Sequence, residues 1–184
     1  MRAAGLEPLV TREPGGAPGA EEIRKLLVSG AVARWDSTTE LLLFSAARRD
    51  HVMHTIEPAL AKGAWVISDR FTDSTLAYQG YGHGLGREAC LAAQRLAIGD
   101  FAPDFTLILD IPAALGLERV GKRRGNETRF ERMDPAFHER VREGFLDIAK
   151  REPKRCKVID ATGPVQDVQW TLRKAISERF GVAL

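Results

Sequence analysis

The feature that most constrains the fold is the alternation of short apolar runs, rich in β-branched and aromatic residues, with longer helical stretches. Two of these runs, at 64–69 and 105–111, are mostly apolar and do not alternate strictly with polar residues. That pattern is typical of strands covered on both faces. With further runs at 6–11 and 157–160, the alternation predicts an α/β domain with a parallel sheet and helices on both faces.

Helix signals fill the intervals between the predicted strands. Glu21 and Glu22 open an amphipathic segment that Gly30 would stop, and a capping box at 37–40 (STTE) precedes an apolar run. Gly63 would end a further helix just before the second strand. Later helices are predicted over 87–98, 112–121, 135–150 and 165–180. One domain spanning residues 1–184 accounts for all of these elements.

Composition bounds the functional classes. A chain of 184 residues fits one domain, and a net charge of +2 with 28% charged residues excludes a disordered chain and indicates no nucleic-acid partner. Cys90 and Cys156 form no CxxC or metal-ligand cluster, which predicts reduced thiols rather than a disulfide. No apolar run is long enough for a signal peptide or a membrane span. We therefore expect a soluble, cytoplasmic protein with no membrane contact.

Charged residues follow the predicted strands at their carboxyl ends, where ligands bind in open parallel sheets. The first run ends in 11–16 (TREPGG) and the second in Asp69 and Arg70. Arginines at two strand ends suggest an anionic ligand such as a phosphate, and Asp69 could orient an arginine or hold magnesium-bound water. A helix N-cap at Asp69 and a solvated Arg12–Glu13 pair are the alternatives. The rigid turn formed by Pro14 and two glycines favours a site.

Five motifs, in order along the chain, resemble those of bacterial thymidylate kinases. They are 11–16 (TREPGG), Phe44 with Arg48, 69–71 (DRF), 74–80 (STLAYQG), and 99–104 (GDFAPD) followed by 107–110 (LILD). The resemblance runs from about Gly5 to the C-terminus. It implies a P-loop NTPase-like three-layer fold, transfer of the ATP γ-phosphate to dTMP to give dTDP, a need for Mg²⁺, and a homodimer.

The resemblance also assigns the acceptor site. It implies that Phe44 stacks on thymine and that Arg48, four residues later on the same helical face, reaches a base oxygen. Arg70 would bind the phosphate with Arg12, and Tyr78 would face the deoxyribose. Core packing is the alternative for Phe44, and a half-buried structural role is the alternative for Tyr78. The implied acceptor residues are Arg12, Glu13, Pro14, Phe44, Arg48, Arg70, Ser74, Thr75, Tyr78 and Gln79.

The donor side rests on the same resemblance. The basic segment 122–133 is similar to the lid of these kinases, where arginines neutralise charge on the transferred phosphoryl group. Arg129 best matches the lid arginine, with Arg123 and Arg124 behind it, and a solvated basic loop is the alternative. Thr162 and Gly163 match the turn that holds adenine. The implied catalytic residues are Asp69, Arg70, Arg124 and Arg129, with Asp69 reaching the metal through water.

One expected motif is missing. No Gly-x4-Gly-Lys followed by Ser or Thr occurs in the chain, although this family holds the donor phosphates with that loop. We infer a truncated chain that lacks its central first strand, which leaves a gap between the second and third strands and little or no ATP-dependent turnover. A deoxynucleoside kinase and a non-catalytic dTMP-binding dimer remain as alternatives.

Overall fold

The computed structural model describes residues 1, 5–121 and 129–184, and for 120 and 121 the backbone alone. The four predicted strands are present as β1 (Leu9–Arg12), β2 (Val66–Asp69), β3 (Thr106–Asp110) and β4 (Cys156–Asp160). Each differs from its predicted bounds by a few residues at most. The apolar runs therefore located the strands correctly.

The strands pair in parallel, as predicted, but in two separate sheets. β1 pairs with β2, with Leu9 opposite Val66, and β3 pairs with β4, with Thr106 opposite Cys156. Within the described residues, no ladder joins β2 to β3. The break falls between the second and third strands, where the resemblance implied a gap. The α/β class is confirmed, and the missing phosphate loop stays a prediction.

Eight α-helices are described between and after the strands. The long helices begin and end close to the predicted bounds, except that α1 begins at Pro18, ahead of Glu21. A π-helical turn, Val52–Ile56, joins α2 to α3, and a second, Leu76–Gly82, extends α4. Such π-turns occur often at functional sites, and the sequence did not predict them. The helices are α1 (Pro18–Val28), α2 (Ser37–His51), α3 (Glu57–Leu60), α4 (Thr72–Thr75), α5 (Arg87–Ile98), α6 (Ala113–Gly121), α7 (Pro135–Arg151) and α8 (Val165–Phe180).

The start of α2 differs from the predicted capping box. Asp36 is the N-cap, and its Oδ1 accepts hydrogen bonds from the amides of Thr38 and Thr39 at 3.0 Å each. Aspartate is as good an N-cap as serine, so the cap lies one residue earlier than predicted. Glu40 is then not needed for capping, and its side chain is fully buried.

The main core lies between α2, α5, α7 and the β3–β4 pair. Leu41, Ile108 and Ile148 are among its buried members, together with both cysteines. Burial raises the pKa of the Cys90 and Cys156 thiols to about 11. These cysteines are therefore unpaired thiols that pack as small apolar groups. No helix in the described part of the chain is long and apolar enough to cross a membrane.

Candidate functional site

The chain leaves β1 through a tight turn that brings two strand ends together. The amide of Glu13 donates to the carbonyl of Asp69 at 2.9 Å, which continues the β1–β2 pairing past the strands. The Glu13–Pro14 bond is cis, and Gly16 has a φ of +85°. A Cβ on Gly16 would lie 2.4 Å from His51 Nε2, so only glycine fits this close approach.

A buried polar network, which we call the Glu13 network, connects this turn to α2 and α4. Its members are Thr11, Glu13, Arg48, His51 and Thr75. The Arg48 Nε donates to Glu13 Oε2 and its Nη2 donates to Thr75 Oγ1, both at 2.8 Å. The His51 ring lies 3.1 Å from Glu13 Oε1 through Nδ1 and 2.7 Å from Thr11 Oγ1 through Nε2. Arg48, which lies on α2, is therefore held from two other parts of the chain, the turn after β1 and α4.

The end of β2 places two exposed charges beside the Glu13 network. Arg70 has a φ of 69°, a left-handed conformation that costs a non-glycine residue roughly 1–2 kcal/mol. Its guanidinium carbon lies 4.9 Å from the centre of the Tyr78 ring, and Asp69 precedes it at the surface. Backbone strain of this kind is concentrated at functional sites, which supports a binding role for Arg70.

An aromatic cluster of Phe44, Tyr78, Phe130, Phe137 and Phe145 lies next to Arg70. Tyr78 meets Phe130, Phe137 and Phe145 edge to face, with ring centres 5.7, 6.0 and 6.4 Å apart. Phe130 also packs against Phe44 at 5.9 Å. The structure thus brings Phe44, Tyr78 and Arg70 together through a chain of contacts, and α2 carries Arg48 on the same face as Phe44.

Gln79 contributes to a second buried cluster, centred on Glu40. The Gln79 Nε2 donates to Glu40 Oε1 at 2.8 Å, His83 Nε2 lies 3.0 Å from the same oxygen, and Arg129 donates to Glu40 Oε2. Burial raises the pKa of Glu40, but these hydrogen bonds and the charge of Arg129 outweigh it, so the pKa is lowered. Glu40 is therefore a stable buried carboxylate.

Arg129 differs most from its predicted environment. The resemblance implied a lid arginine facing a phosphate, whereas its side chain is fully buried. Its guanidinium donates to the carbonyls of Leu27, Ala31 and Val32 as well as to Glu40. In this arrangement Arg129 joins the end of α1 to α2. Its burial does not support the phosphate role, which stays a prediction.

Other predicted residues lie apart from the aromatic cluster. Arg12 is exposed and pairs with Glu21 at 3.2 Å. Thr162 follows β4, where its amide and hydroxyl donate to Asp160 and its carbonyl accepts from Arg119. Gly163 is in the same turn, and Ser74 lies within α4. The carbonyl of Pro14 accepts a hydrogen bond from Arg24. Arg123 and Arg124 fall outside the described residues.

Several residues of these clusters were not predicted from the sequence as site residues, and three of them are instructive. His51 lies three residues after Arg48 on the same helix, and that spacing could have indicated it. Glu40 was assigned to the capping box, so its place in a buried cluster with Gln79 and Arg129 was not predicted. Phe130 is embedded in a charged segment, and no local signal pointed to a pocket.

Comparisons with known proteins give one consistent result. A family model described as thymidylate kinase matches residues 1–171. A thymidylate kinase of Caulobacter vibrioides is 50% identical over 182 residues, which cover 99% of this chain and 87% of that protein. One from Afipia carboxidovorans is 48% identical over 186 residues, covering 100% and 82%. The crystal structure of the Ehrlichia chaffeensis thymidylate kinase superposes with a TM-score of 0.73 at 36% identity, over 91% of this chain and 80% of that one.

Proposed function

Because the chain belongs to the thymidylate kinase family, whose members phosphorylate dTMP to dTDP with ATP, we propose that it binds dTMP between the aromatic cluster and Arg70. The observation that carries the proposal is the contact chain from Arg70 through Tyr78 and Phe130 to Phe44. It joins a surface for a planar base to an exposed cation that suits a phosphate.

The Glu13 network prepares Arg48 to read the base. Two of its three nitrogens are used by Glu13 and Thr75, and among the described residues no hydrogen bond is made by Nη1. That nitrogen is therefore left to donate to a carbonyl oxygen of the pyrimidine. A side chain held in this way loses little rotamer entropy when the ligand binds.

The acceptor phosphate needs to be positioned rather than deprotonated. The second pKa of a phosphate monoester is about 6, so dTMP is mostly a dianion at neutral pH and already nucleophilic. Arg70 can hold its oxygens through paired hydrogen bonds. Positioning and charge neutralisation supply most of the catalysis in phosphoryl transfer.

Asp69 is suited to hold Mg²⁺ through water. Its carboxylate is exposed at the end of β2, and oxygen ligands are those that Mg²⁺ prefers. Within the described residues, no group of three His, Cys, Asp or Glu side chains could bind a metal directly. When bound, the ion would neutralise phosphate charge, and Asp69 would orient its water shell.

A thermal-shift comparison of dTMP, thymidine and ATP tests the proposal. At about 100 times its dissociation constant, dTMP should add roughly 2.7 kcal/mol of stability, or a rise in Tm of roughly 5–10 °C. Thymidine should give a smaller shift, and ATP little, because the chain has no Gly-x4-Gly-Lys-Ser/Thr loop. No shift with dTMP would contradict the proposal, and equal shifts with thymidine would favour a nucleoside acceptor. Robust dTMP-dependent ADP release would contradict only the predicted loss of turnover.

We also propose that two copies of the chain pair through α1, α2 and α5. α1 packs against α2 and α2 against α5, yet Leu26, Leu42 and Leu96 remain exposed, Leu96 by 85%. We propose that these leucines together form one apolar patch, since large contiguous apolar patches mark interaction surfaces.

Light scattering after size exclusion measures this assembly. The wild-type chain should be a dimer, and Leu42→Glu should raise the dissociation constant at least about tenfold, because a charge would enter an apolar interface. Trp170→Glu, which changes an exposed residue on α8, is the matched control and should leave the dimer intact. A monomeric wild-type chain would overturn the proposed interface.

The proposed location is the cytoplasm. The two unpaired, buried cysteines suit a reducing compartment. The net charge of the chain is only +2, which does not favour a nucleic-acid partner, so dTMP and ATP are the proposed partners.

A further inference from the structure

The guanidinium of Arg129 is occupied by protein oxygens. Its Nε donates to the carbonyl of Ala31 at 3.2 Å, its Nη2 to that of Val32 at 3.0 Å, and its Nη1 to Leu27 and to Glu40. The backbone amide of Arg129 adds a bond to the Val28 carbonyl at 3.3 Å. Arg129 therefore attaches its segment of the chain to the end of α1 and the start of α2.

The next residue enters the aromatic cluster. The Phe130 ring centre lies 5.9 Å from Phe44 on α2 and 5.7 Å from Tyr78 on the second π-turn. The Arg129 guanidinium carbon lies 5.1 Å from the same ring. Phe130 thus bridges the side chains proposed to face the base and the sugar.

We propose that Arg129 is a positioning residue that anchors the chain so that Phe130 completes the wall of a pyrimidine-nucleoside pocket. The inference rests on the proposed function and assigns to Phe130 a role in binding the nucleoside part of the ligand. Its contact would be with the planar ring, not with the phosphate. Phe130 should therefore strengthen binding of nucleoside and nucleotide by the same factor.

A direct phosphate role for Arg129 has a structural cost that the positioning role avoids. To reach a phosphate, its side chain would have to leave Glu40, which is fully buried. An unpaired buried carboxylate is strongly destabilising. The same movement would also abandon three backbone carbonyls of α1 and the turn after it.

Calorimetric titration of the full 184-residue chain with dTMP and with thymidine tests the inference. Phe130→Leu should weaken both ligands by about threefold to tenfold, the fold-change that corresponds to a lost aromatic contact. Phe130→Tyr keeps the ring and should restore affinity to within about twofold of wild type. Phe105→Leu, at a half-buried phenylalanine that packs on Phe180, is the control and should change neither affinity.

Arg129→Lys separates positioning from phosphate binding. Lysine keeps the charge but cannot make the same set of hydrogen bonds, so both affinities should fall by the same factor. A loss for dTMP with thymidine unchanged would overturn the inference, as would wild-type affinity in Phe130→Leu. The leucine variant decides the question if the lysine variant does not fold. A wild-type chain that binds neither ligand would instead overturn the proposed function on which the inference rests.

Discussion

The Arg129→Met variant is expected to lose about 3–5 kcal/mol of unfolding free energy, because it leaves the buried Glu40 carboxylate without its cation. Gln79 and His83 would still contact that carboxylate, but neither supplies a permanent positive charge. A loss of this size is a large fraction of the 5–15 kcal/mol that typically stabilises a domain. Urea denaturation of the variant and wild-type chains measures the difference.

Adding Glu40→Gln to Arg129→Met tests whether the loss of stability comes from the unpaired Glu40 carboxylate. The double variant Glu40→Gln/Arg129→Met should be more stable than Arg129→Met alone, since no buried charge remains unpaired. Because the folded pKa of Glu40 is lowered from its ordinary value of 4.5, its contribution is complete above that pH and is lost as the pH falls through the folded pKa. The stability gap between wild type and Glu40→Gln should therefore narrow in acid. An Arg129→Met variant within about 1 kcal/mol of wild type would contradict the assigned pair.

Local patterns in the sequence were sufficient for the strands and for the residues at their ends. The β2 run is apolar and ends at Asp69, and the parallel register with β1 then brings Asp69 opposite Arg12. The positions of Phe44 and Arg48 on one face of α2 follow from helical spacing alone. The strand runs and the helical spacing depend on residues close together in sequence, which is why the sequence predicted them, whereas the register of β1 with β2 joins distant residues.

Two of the missed features depend on distant contacts, and a third, the cap of α2, is a choice between adjacent residues. Arg129 and Glu40 are 89 positions apart, and a basic run is usually solvated, so nothing local indicated a buried ion pair. The partner that would orient His51 is Glu13, 38 positions earlier. At the start of α2, Asp36 and Ser37 are adjacent residues with similar capping strength, and sequence cannot choose between them.

Gly16→Ala is expected to destabilise the chain by about 2–5 kcal/mol. Roughly 1–2 kcal/mol would come from placing alanine at a φ of +85°, and about 1–3 kcal/mol from overpacking. The new methyl would lie 2.4 Å from both His51 Nε2 and Thr11 Oγ1. His51 is fully buried, so it cannot move aside without breaking its bonds to Thr11 and Glu13.

Gly63→Ala isolates the backbone part of that effect. Gly63 has a φ of +74°, and a Cβ there would meet nothing within 4 Å, so only the strain of about 1–2 kcal/mol should appear. Urea denaturation compares the two variants, and equal losses of unfolding free energy would show that the close approach to His51 contributes nothing to the effect.

Because Glu13 holds Arg48 as well as His51, a displaced His51 should also weaken dTMP binding in Gly16→Ala. Gly63→Ala lies outside the Glu13 network and should bind dTMP like the wild type.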